Sequence, residues 1–592
     1  MDLSYGKPKG ELSPVTWHDR YTMPHARRVD FALMAQKALN YLKNNPDPEN
    51  GYECRFSFTP LGPWPHRPDI KTHPLYTDPI SIGDTENRND IAFNMMRRIY
   101  PSEDGRAEQE AVHKRLVSYI HTGGDFGGMC WNKGYCTGIP GDEDHPSLWS
   151  TGKLLQSECD RYIDGQTDSL DVMRVLFLGI ADCAARENGY AYFPDGGLCF
   201  DVENHKSIGG YQGHYPPVMS SLCEYYNITA DPECFLLLTE LAEGFVSDKT
   251  PHHLHREDGG INGHNHLQLH DVRGMAQFAY MTGNARYTEW VREIYDFYRL
   301  WALDTGWLPE IRDLNEHSNH SETCLNADML EVELWLALSG YTNLFDRIDR
   351  SMRNYFAPAL FELTPEFEAA YREIHKNAES GAIEGALAFL RGMEGGYISA
   401  LSPNSKVFYL PKEMNHFGRV DMEPENRNMF FDMMGCCPPE GMRAIYYAWK
   451  YAVQNTGGGV YINLPYSVET PEAGVVSGLP EEGRLDVTAK KEGAYYIRVP
   501  AWTQKENVAA YVNGEATAVR WGGASNAYVA FGGVRAGDCL AVTYPLAEFW
   551  QSVSVQPHGQ PAAKYRYHWV GGTVVGVEPE GEFLPLYGGT VY

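Results

Sequence analysis

The 592-residue sequence lacks an apolar segment near its first residue and any uninterrupted run of the roughly 20 apolar residues that a membrane helix needs. It also lacks a basic excess, because 50 lysines and arginines stand against 78 acidic residues, a formal net charge of −28. A chain this negative is repelled by nucleic acids and by anionic membranes. We therefore expect neither as a partner, and we predict a cytoplasmic protein.

The 12 cysteines lack the rhythm of a disulfide scaffold, which suits a reducing compartment. The composition, 43% hydrophobic and 22% charged, is ordinary for a globular protein, and the length calls for two or three domains. Aromatic residues reach 13% of the chain. Their flat rings line sugar sites but also fill large cores, so this number only mildly favours a carbohydrate partner.

A degenerate repeat occupies the first two thirds of the chain. Segments that begin at Tyr162, Tyr226, Tyr280 and Tyr341 each place a polar turn between two helix-like stretches, and their starts are 54 to 64 residues apart. Such periods indicate stacked helical hairpins, in either an open solenoid or a closed ring. Because long loops rich in Gly, His and Trp separate the hairpins, we predict a closed α/α toroid with a pocket at one mouth.

The pattern changes after residue 456. Short β-rich runs follow, separated by turns such as Asn513-Gly514, at 460–464, 494–499, 508–512, 527–531 and 540–544. We predict an α/α barrel domain over 1–456 and an antiparallel β-sandwich domain over 457–592.

Residues 363–396 are predicted to form a charged helical insertion within the barrel domain. Thr364-Pro365 has the composition of a helix cap and first turn, and Gly395-Gly396 that of a stop. The sequence assigns no function to this insertion.

Two short motifs carry four metal-ligating groups. Cys436-Cys437 is followed by two prolines, and Glu322 and Cys324 lie upstream in Ser-Glu-Thr-Cys. Three thiols and a carboxylate are what one zinc ion needs for a tetrahedral shell. Cysteines are common in cores, so each motif alone is weak, but one zinc site accounts for both.

The prolines that follow Cys436 and Cys437 predict that this pair lies at the N-terminus of a helix. A helix dipole, like a metal ion, lowers the pKa of a thiol at that position and makes the thiolate available. The sequence thus predicts an activated cysteine on a metal.

Histidines crowd the middle of the chain. His214 lies in Gly-His-Tyr-Pro-Pro, and His270 ends a segment that also holds His264 and His266. The glutamate of a zinc metalloprotease helix is missing between His266 and His270, which excludes that reading. We predict that His214 and His270 bind substrate hydroxyls at the ring mouth, with satisfied core histidines as the alternative.

A general acid is sought among the glutamates upstream of the first zinc motif. Glu310, in Gly-Trp-Leu-Pro-Glu, has Trp307 beside it, and an apolar neighbourhood raises the pKa of a carboxylic acid. Glu316 is the rival in the same segment, and spacing does not choose between them. A solvated loop carboxylate is the alternative for both.

These motifs resemble glycoside hydrolase family 127, the β-L-arabinofuranosidases, across most of the chain. Glu322-Thr-Cys324 resembles that family's Glu-x-Cys, and Cys436-Cys437-Pro-Pro its Cys-Cys-Pro-Pro. Weaker similarities are found in Gly213-His214, His270-Asp-Val-Arg273, Ile497–Trp502 and Val512–Gly514.

The resemblance implies an (α/α)6 barrel followed by β-sandwich modules, and a retaining exo-glycosidase acting on a carbohydrate. It also implies Cys436 as nucleophile, zinc held by Glu322, Cys324, Cys436 and Cys437, and an upstream glutamate as acid/base. The chain departs from the family where Pro-Glu replaces Gly-Glu at Glu310. It departs again at the insertion over 363–396. Two roles are open for this insertion: it reshapes the pocket, or it forms a contact in a homo-oligomer.

Two further hypotheses stay open. In the first, the chain hydrolyses a different glycoside with carboxylates alone, and the zinc is structural. In the second, it is a carbohydrate-binding scaffold that keeps the zinc fold without turnover.

Overall fold

The computed structural model describes residues 11–14, 29–55, 57–61, 76–78, 85–124, 127–133, 144–193, 200–201, 206–207, 218–247, 265–313, 316–376, 380–409, 429–556, 561–581 and 584–587. The helices, numbered along the chain, are α1 Phe31–Asn44, α2 Thr85–Ile99, α3 Arg106–Ser118, α4 Leu148–Ile163, α5 Ser169–Cys183, α6 Val218–Thr229, α7 Pro232–Ser247, α8 Asn265–Thr282, α9 Ala285–Arg299, α10 Thr323–Leu338, α11 Phe345–Ser351, α12 Ala357–Ala359, α13 Pro365–Ile374, α14 Ser380–Gly392 and α15 Cys437–Lys450. Short 3-10 or π turns lie at Pro48–Asn50, Thr342–Leu344, Met352–Phe356, Lys505–Asn507 and Ala524–Asn526.

Within the described part of the chain, six helices form a closed inner ring. Helices α2, α4, α6, α8, α10 and α15 each pack against the next, and α15 returns to α2. Helices α3, α5, α7, α9 and α11 pack outside the inner helix that precedes each of them, while α1 packs on α2 and α15. This arrangement confirms the predicted (α/α)6 toroid and excludes the open solenoid.

The four repeat segments are confirmed as the turns between inner and outer helices. The segment at Tyr162 joins α4 to α5, that at Tyr226 joins α6 to α7, that at Tyr280 joins α8 to α9, and that at Tyr341 joins α10 to α11. Each repeat is therefore one inner helix with its outer partner. In the described ranges, no helix combines the length and the apolar character needed to cross a bilayer.

The insertion is helical, as predicted, and consists of two helices, α13 and α14. The Thr364 hydroxyl accepts a hydrogen bond from the Phe367 N–H at 3.2 Å, which confirms the cap. Helix α14 ends beside α1. There the Asn40 side-chain amide donates to the backbone oxygens of Arg391, Gly392 and Glu394 at 3.0–3.3 Å. These bonds satisfy carbonyls that the end of α14 would otherwise leave without partners.

Small sheets lie among the helices. The three-stranded sheet has the order Pro309–Asp313, Glu316–Glu322, Ala400–Leu401, and a four-stranded sheet the order Phe408–Tyr409, Met429–Met434, Ser57–Leu61, Tyr76–Asp78. Two-stranded pairs are Pro46–Asp47 with Glu53–Cys54, Cys130–Lys133 with Asp144–Ser147, Ala185–Glu187 with Tyr190–Tyr192, and Phe200–Asp201 with Lys206–Ser207.

The C-terminal part consists of larger sheets. The five-stranded sheet has the order Val453–Thr456, Gly459–Ile462, Gly493–Arg498, Tyr528–Val534, Trp521–Gly522. The six-stranded sheet has the order Val468–Glu469, Ala473–Ser477, Arg484–Ala489, Cys539–Thr543, Ala509–Val512, Glu515–Thr517. A four-stranded sheet has the order Glu11–Pro14, Glu548–Val555, Ala563–Val570, Thr573–Glu578.

The five predicted β runs are all strands, which confirms the α-then-β fold class, but one pair is parallel. Gly459–Ile462 pairs parallel with Gly493–Arg498, because the chain between them crosses to the six-stranded sheet before it returns. The domain boundary near 456 stays a prediction. The strand before it, Val453–Thr456, pairs with Gly459–Ile462, and Glu11–Pro14 pairs with the C-terminal strand Glu548–Val555.

Gly395 provides a test of how the insertion packs on α1. Its φ is +92°, and a Cβ at this position would lie 1.9 Å from the backbone oxygen of Lys37. Gly395→Ala is therefore expected to lower the free energy of unfolding by on the order of 3 kcal/mol. The matched control is Gly385→Ala in α14, where an added Cβ meets nothing within 4 Å, so it should raise stability by about 1 kcal/mol. Urea denaturation of the two variants measures this, and equal effects would contradict the described packing.

Candidate active site

The helix starts of the inner ring converge at one mouth of the toroid. Cys324 lies in the first turn of α10, next to Cys436 and Cys437 at the start of α15. The N–H of Asn265, the first residue of α8, reaches the same region by donating to Glu310. Helix N-termini carry a partial positive charge, so this mouth favours anionic groups such as thiolates and carboxylates.

The predicted zinc ligands are brought together although Cys324 and Cys436 are 112 positions apart in the sequence. The Sγ atoms of Cys324 and Cys437 are 3.6 Å apart, and those of Cys436 and Cys437 are 3.7 Å apart. The Glu322 Oε2 atom lies 3.6 Å from the Cys324 Sγ atom. Cys436 is the N-cap residue of α15, which confirms the predicted helix start.

The spacing of these atoms fits a tetrahedral zinc ion. Zinc–sulfur bonds of about 2.3 Å in a tetrahedron place neighbouring sulfurs about 3.8 Å apart, and a carboxylate oxygen lies slightly closer. The three sulfurs lie within 4.8 Å of one another, and the donor set is the thiolate-rich one that zinc prefers. This group of residues could therefore hold a metal ion.

The three cysteines differ in exposure and ionisation. Cys324 and Cys437 are fully buried, whereas Cys436 is partly exposed. Burial raises the pKa of Cys324 well above that of an ordinary thiol. Burial also opposes ionisation of Cys437, but hydrogen bonds with Cys324 and Cys436 lower its pKa to about 6. A hydrogen bond with Cys324 favours ionisation of Cys436, but the hydrogen bond with Cys437 and burial raise the pKa of Cys436 well above its usual value. Without a metal the negative charge therefore lies on Cys437, and the predicted thiolate at Cys436 requires the metal.

Ser399 joins the two motifs, and no sequence pattern pointed to this residue. Its backbone oxygen accepts from the Thr323 N–H at 2.8 Å, and its N–H donates to the Asp432 oxygen at 3.0 Å. Its hydroxyl also accepts from the Met434 N–H. One residue thereby fixes the segment before Cys324 against the strand that leads to Cys436.

Glu310 lies on the strand Pro309–Asp313, and its side chain is buried. Its Oε1 atom accepts from the Asn265 N–H at 3.1 Å. Pro309 is paired with Ser321, the residue before the zinc-motif carboxylate Glu322. The structure therefore places Glu310 beside the first zinc motif.

The segment before Glu310 is fixed to that motif by side chains. The Asn326 amide oxygen accepts from the Leu308 N–H at 2.9 Å, while its NH2 group donates to the Glu322 backbone oxygen at 2.6 Å. Trp307 is buried, as the predicted apolar neighbour should be, and its indole N–H donates to Leu401 at 2.8 Å. Glu316, the rival acid, lies on the paired strand, but its side chain is outside the described set.

Of the two histidines predicted to bind substrate, the structure describes only His270. His214 lies outside the described residues. His270 is buried in α8, where its Nδ1 contacts Asp328 Oδ1 at 3.1 Å and its Nε2 contacts Arg273 Nη2 at 2.7 Å. Burial, with the nearby Arg273 charge, lowers the pKa of His270 well below its usual value. Contact with substrate hydroxyls stays a prediction for both histidines. Both ring nitrogens of His270 already contact protein side chains, so His270 would have to give up one of these contacts to bind a hydroxyl.

Glu440 holds the start of α15 to the ring interior. Its carboxylate lies 2.6 Å from Arg88 of α2 and 3.1 Å from Lys153 of α4, and it also contacts Arg443. Burial opposes its ionisation, but Lys153 and Arg88 lower the pKa of Glu440 to about 2. Glu440 therefore remains ionised and links three inner helices.

A second group, His266, His270 and Asp328, also has atoms close enough for a metal ion. Asp328 is 2.6 Å from His266, 2.7 Å from Arg443 and 3.1 Å from Arg273. A metal cation here would be repelled by the two arginines. We therefore interpret the group as part of the ion-pair network that connects the inner helices.

No family model matches the sequence, and no curated protein matches it. Among solved structures, the chain is similar to a family 127 β-L-arabinofuranosidase from Geobacillus stearothermophilus T6, with a TM-score of 0.56 at 15% identity over 82% of this chain and 75% of that one. It is similar to a second family 127 β-arabinofuranosidase at 14% identity over 97% and 86%, and to a glycoside hydrolase at 13% over 97% and 84%, both with TM-scores of 0.56.

The chain has a family-127-like fold. The likeness covers the toroid and the β-rich part together, because two of the matches extend over 97% of the chain. This confirms the resemblance at the level of fold.

Metal content follows from the thiol geometry. Purified protein is expected to carry about one zinc per chain, and Cys324→Ser should lower both zinc content and melting temperature, because a structural zinc contributes folding energy. The matched control is Cys234→Ala, a buried thiol of α7 whose loss should cost stability but leave zinc unchanged. Elemental analysis with thermal denaturation measures both. Zinc-free protein prepared without chelator would refute the site.

Proposed function

We propose that this protein is a retaining exo-glycoside hydrolase of the β-L-arabinofuranosidase type. The carbohydrate is bound at the mouth where the inner helices begin. Zinc is held by Glu322, Cys324, Cys436 and Cys437, Cys436 is the nucleophile, and Glu310 is the acid/base.

The observation that carries the proposal is the placement of a partly exposed thiol on a buried thiol–carboxylate cluster, with a buried glutamate beside it. A purely structural zinc site is closed, and all of its sulfurs can be buried. Here Cys324 and Cys437 are fully buried and Cys436 alone is partly exposed. This exposure supports Cys436 over Cys437 as the sulfur that meets a sugar, whereas the thiol pKa values without a metal favour Cys437, because its pKa is about 6 and that of Cys436 is raised.

The assignment of Glu310 as the acid/base is supported by the contacts that hold its strand against the first zinc motif. Its strand is paired with the strand that ends at Glu322, and Asn326 ties both strands together. A group that must first give and then take a proton needs a fixed position relative to the nucleophile.

The reaction is a double displacement. The Cys436 thiolate forms a C–S bond to the anomeric carbon as the glycosidic C–O bond breaks, and Glu310 gives its proton to the departing oxygen. Glu310, now a carboxylate, takes a proton from water as the water oxygen bonds to the anomeric carbon and the C–S bond breaks. The thiolate and the protonated Glu310 are restored, and two inversions give retention. When bound, zinc would keep the sulfur ionised at neutral pH and improve it as a leaving group.

The acid/base assignment is tested by leaving-group dependence. Glu310→Gln should slow the hydrolysis of glycosides with poor leaving groups by about 10²–10⁴-fold, because it removes proton donation. Nitrophenyl glycosides, which depart without a proton, should suffer far less in the first step, and azide should partly rescue them. Steady-state kinetics of Glu310→Gln and Glu316→Gln on both substrate types measure this. If Glu316→Gln alone shows the selective pattern, the role belongs to Glu316.

The nucleophile and the activity are tested together on a panel of aryl furanosides and pyranosides. The unmodified protein should release the aglycone from aryl β-L-arabinofuranosides, and a haloacetamide analogue of that sugar should label Cys436 alone. Cys436→Ser should keep substrate binding, since the oxygen replaces sulfur at the same position, but it should lose turnover.

Other outcomes favour the alternatives. No release from any glycoside of the panel would favour a binding scaffold. Substantial activity in zinc-bearing Cys436→Ser protein, or a label on a carboxylate, would favour a carboxylate mechanism with structural zinc. Turnover of a different sugar with Cys436 labelled would keep the mechanism and replace only the substrate.

A further inference from the structure

A buried cluster of charges lies between the helical ring and the C-terminal sheets, away from the thiol site. It contains five arginines and four carboxylates, all at most 8% exposed: Arg299, Arg347, Arg350, Arg353 and Arg498, with Asp304, Glu333, Asp346 and Asp349. These nine groups carry one more positive than negative charge. An uncompensated charge in a protein interior is costly, so the excess calls for a counterion or a pairing that offsets it.

Four of the arginines are paired. Arg347 lies 2.5 Å from Asp304, Arg353 lies 2.8 Å from Asp349, Arg498 lies 2.5 Å from Asp346, and Arg299 lies 3.4 Å from Asp304. Arg347 also lies 3.4 Å from Glu333, so each carboxylate of the cluster already has an arginine.

Arg350 is the arginine that remains. It is 1% exposed, and among the described residues none of its three guanidinium nitrogens has a hydrogen-bond partner. Its described contact is with the ring of Trp569, whose centroid lies 5.3 Å from the guanidinium carbon. Up to five N–H groups are thus left to be satisfied, and one aromatic face offsets only part of that cost.

The position of Arg350 is rigid. The Asn354 amide donates to the Arg350 backbone oxygen at 2.8 Å and to the Gly572 oxygen at 2.9 Å, and it accepts from the Val574 N–H at 2.7 Å. These bonds fix α11 to the hairpin of strands Ala563–Val570 and Thr573–Glu578. The backbone of Arg350 is thereby fixed at this junction, and its side chain is 1% exposed.

We propose that Arg350 binds a small monovalent anion, of the size of chloride, at the junction between the helical ring and the C-terminal sheet. One monovalent anion balances the one excess charge, whereas a divalent anion would reverse it. The enclosed position favours a compact ion over a large organic anion. The anion is structural, and it does not depend on the proposed glycosidase activity.

The direct test is a crystal structure of the full-length protein soaked in bromide. We expect an anomalous peak within hydrogen-bonding reach of the Arg350 guanidinium, because bromide replaces chloride and can be located by its scattering. An ordered water without anomalous signal, or no density there, would overturn the proposal.

A solution test uses thermal unfolding at constant ionic strength, with chloride exchanged for gluconate. Above the dissociation constant, the melting temperature of the unmodified protein should rise by roughly 1 °C for each tenfold increase in chloride. Arg350→Met should abolish this rise. The matched control, Arg161→Met, removes a buried arginine outside the cluster that is paired with Glu110, so it should cost stability yet keep the response to chloride. A chloride response that survives Arg350→Met would refute the site.

Discussion

The structure depends on one closure, the contact between the start of α10 and the start of α15. Three thiols and a carboxylate meet there, from motifs that lie far apart in the sequence. Without a bound cation, the ionised forms of these four side chains would be unfavourable in a buried position, because up to four negative charges would repel one another. A dication bound here, as proposed above, would convert that repulsion into a link between the two helix starts. The same contact closes the toroid, so the chemistry of the mouth and the stability of the barrel have a common origin.

The ion pairs inside the ring are centred on the same helix start that carries Cys436 and Cys437. Glu440 stands three residues after Cys437, and it is the acceptor for Arg88 and Lys153 from two other inner helices. Isolated buried ion pairs often add little stability, but a carboxylate shared by several cations that point inward from different helices fixes their relative rotation. That rotation sets where Cys436 points. The network below the thiols therefore acts as a geometric constraint on the site rather than as a source of net stability.

Much of this could be predicted from the sequence, for identifiable reasons. The zinc motifs were found because few residue types bind zinc and because Pro438 and Pro439 mark a helix start whatever surrounds them. The toroid was found because its repeat places a turn at regular intervals. Ser399 and Asn326 were missed because they act through single hydrogen bonds to backbone atoms, which Ser and Asn make throughout proteins. The parallel strand pair was missed because strand order depends on crossovers that local pattern does not encode.

The two buried arrangements of arginine illustrate the limit of sequence inference more sharply. Arg88 and Arg350 are both fully enclosed, and nothing in their immediate sequence distinguishes them. Arg88 has an ionised carboxylate 2.6 Å away, whereas Arg350 contacts an aromatic ring, and within the described part of the chain Asp304, Asp346 and Asp349 act on it only at longer range. The difference arises from which strands and helices the fold brings together, so it is a property of the assembled domain junction. Composition constrains the number of charges in a chain, but only the packing determines which of them are paired closely and which are compensated at a distance.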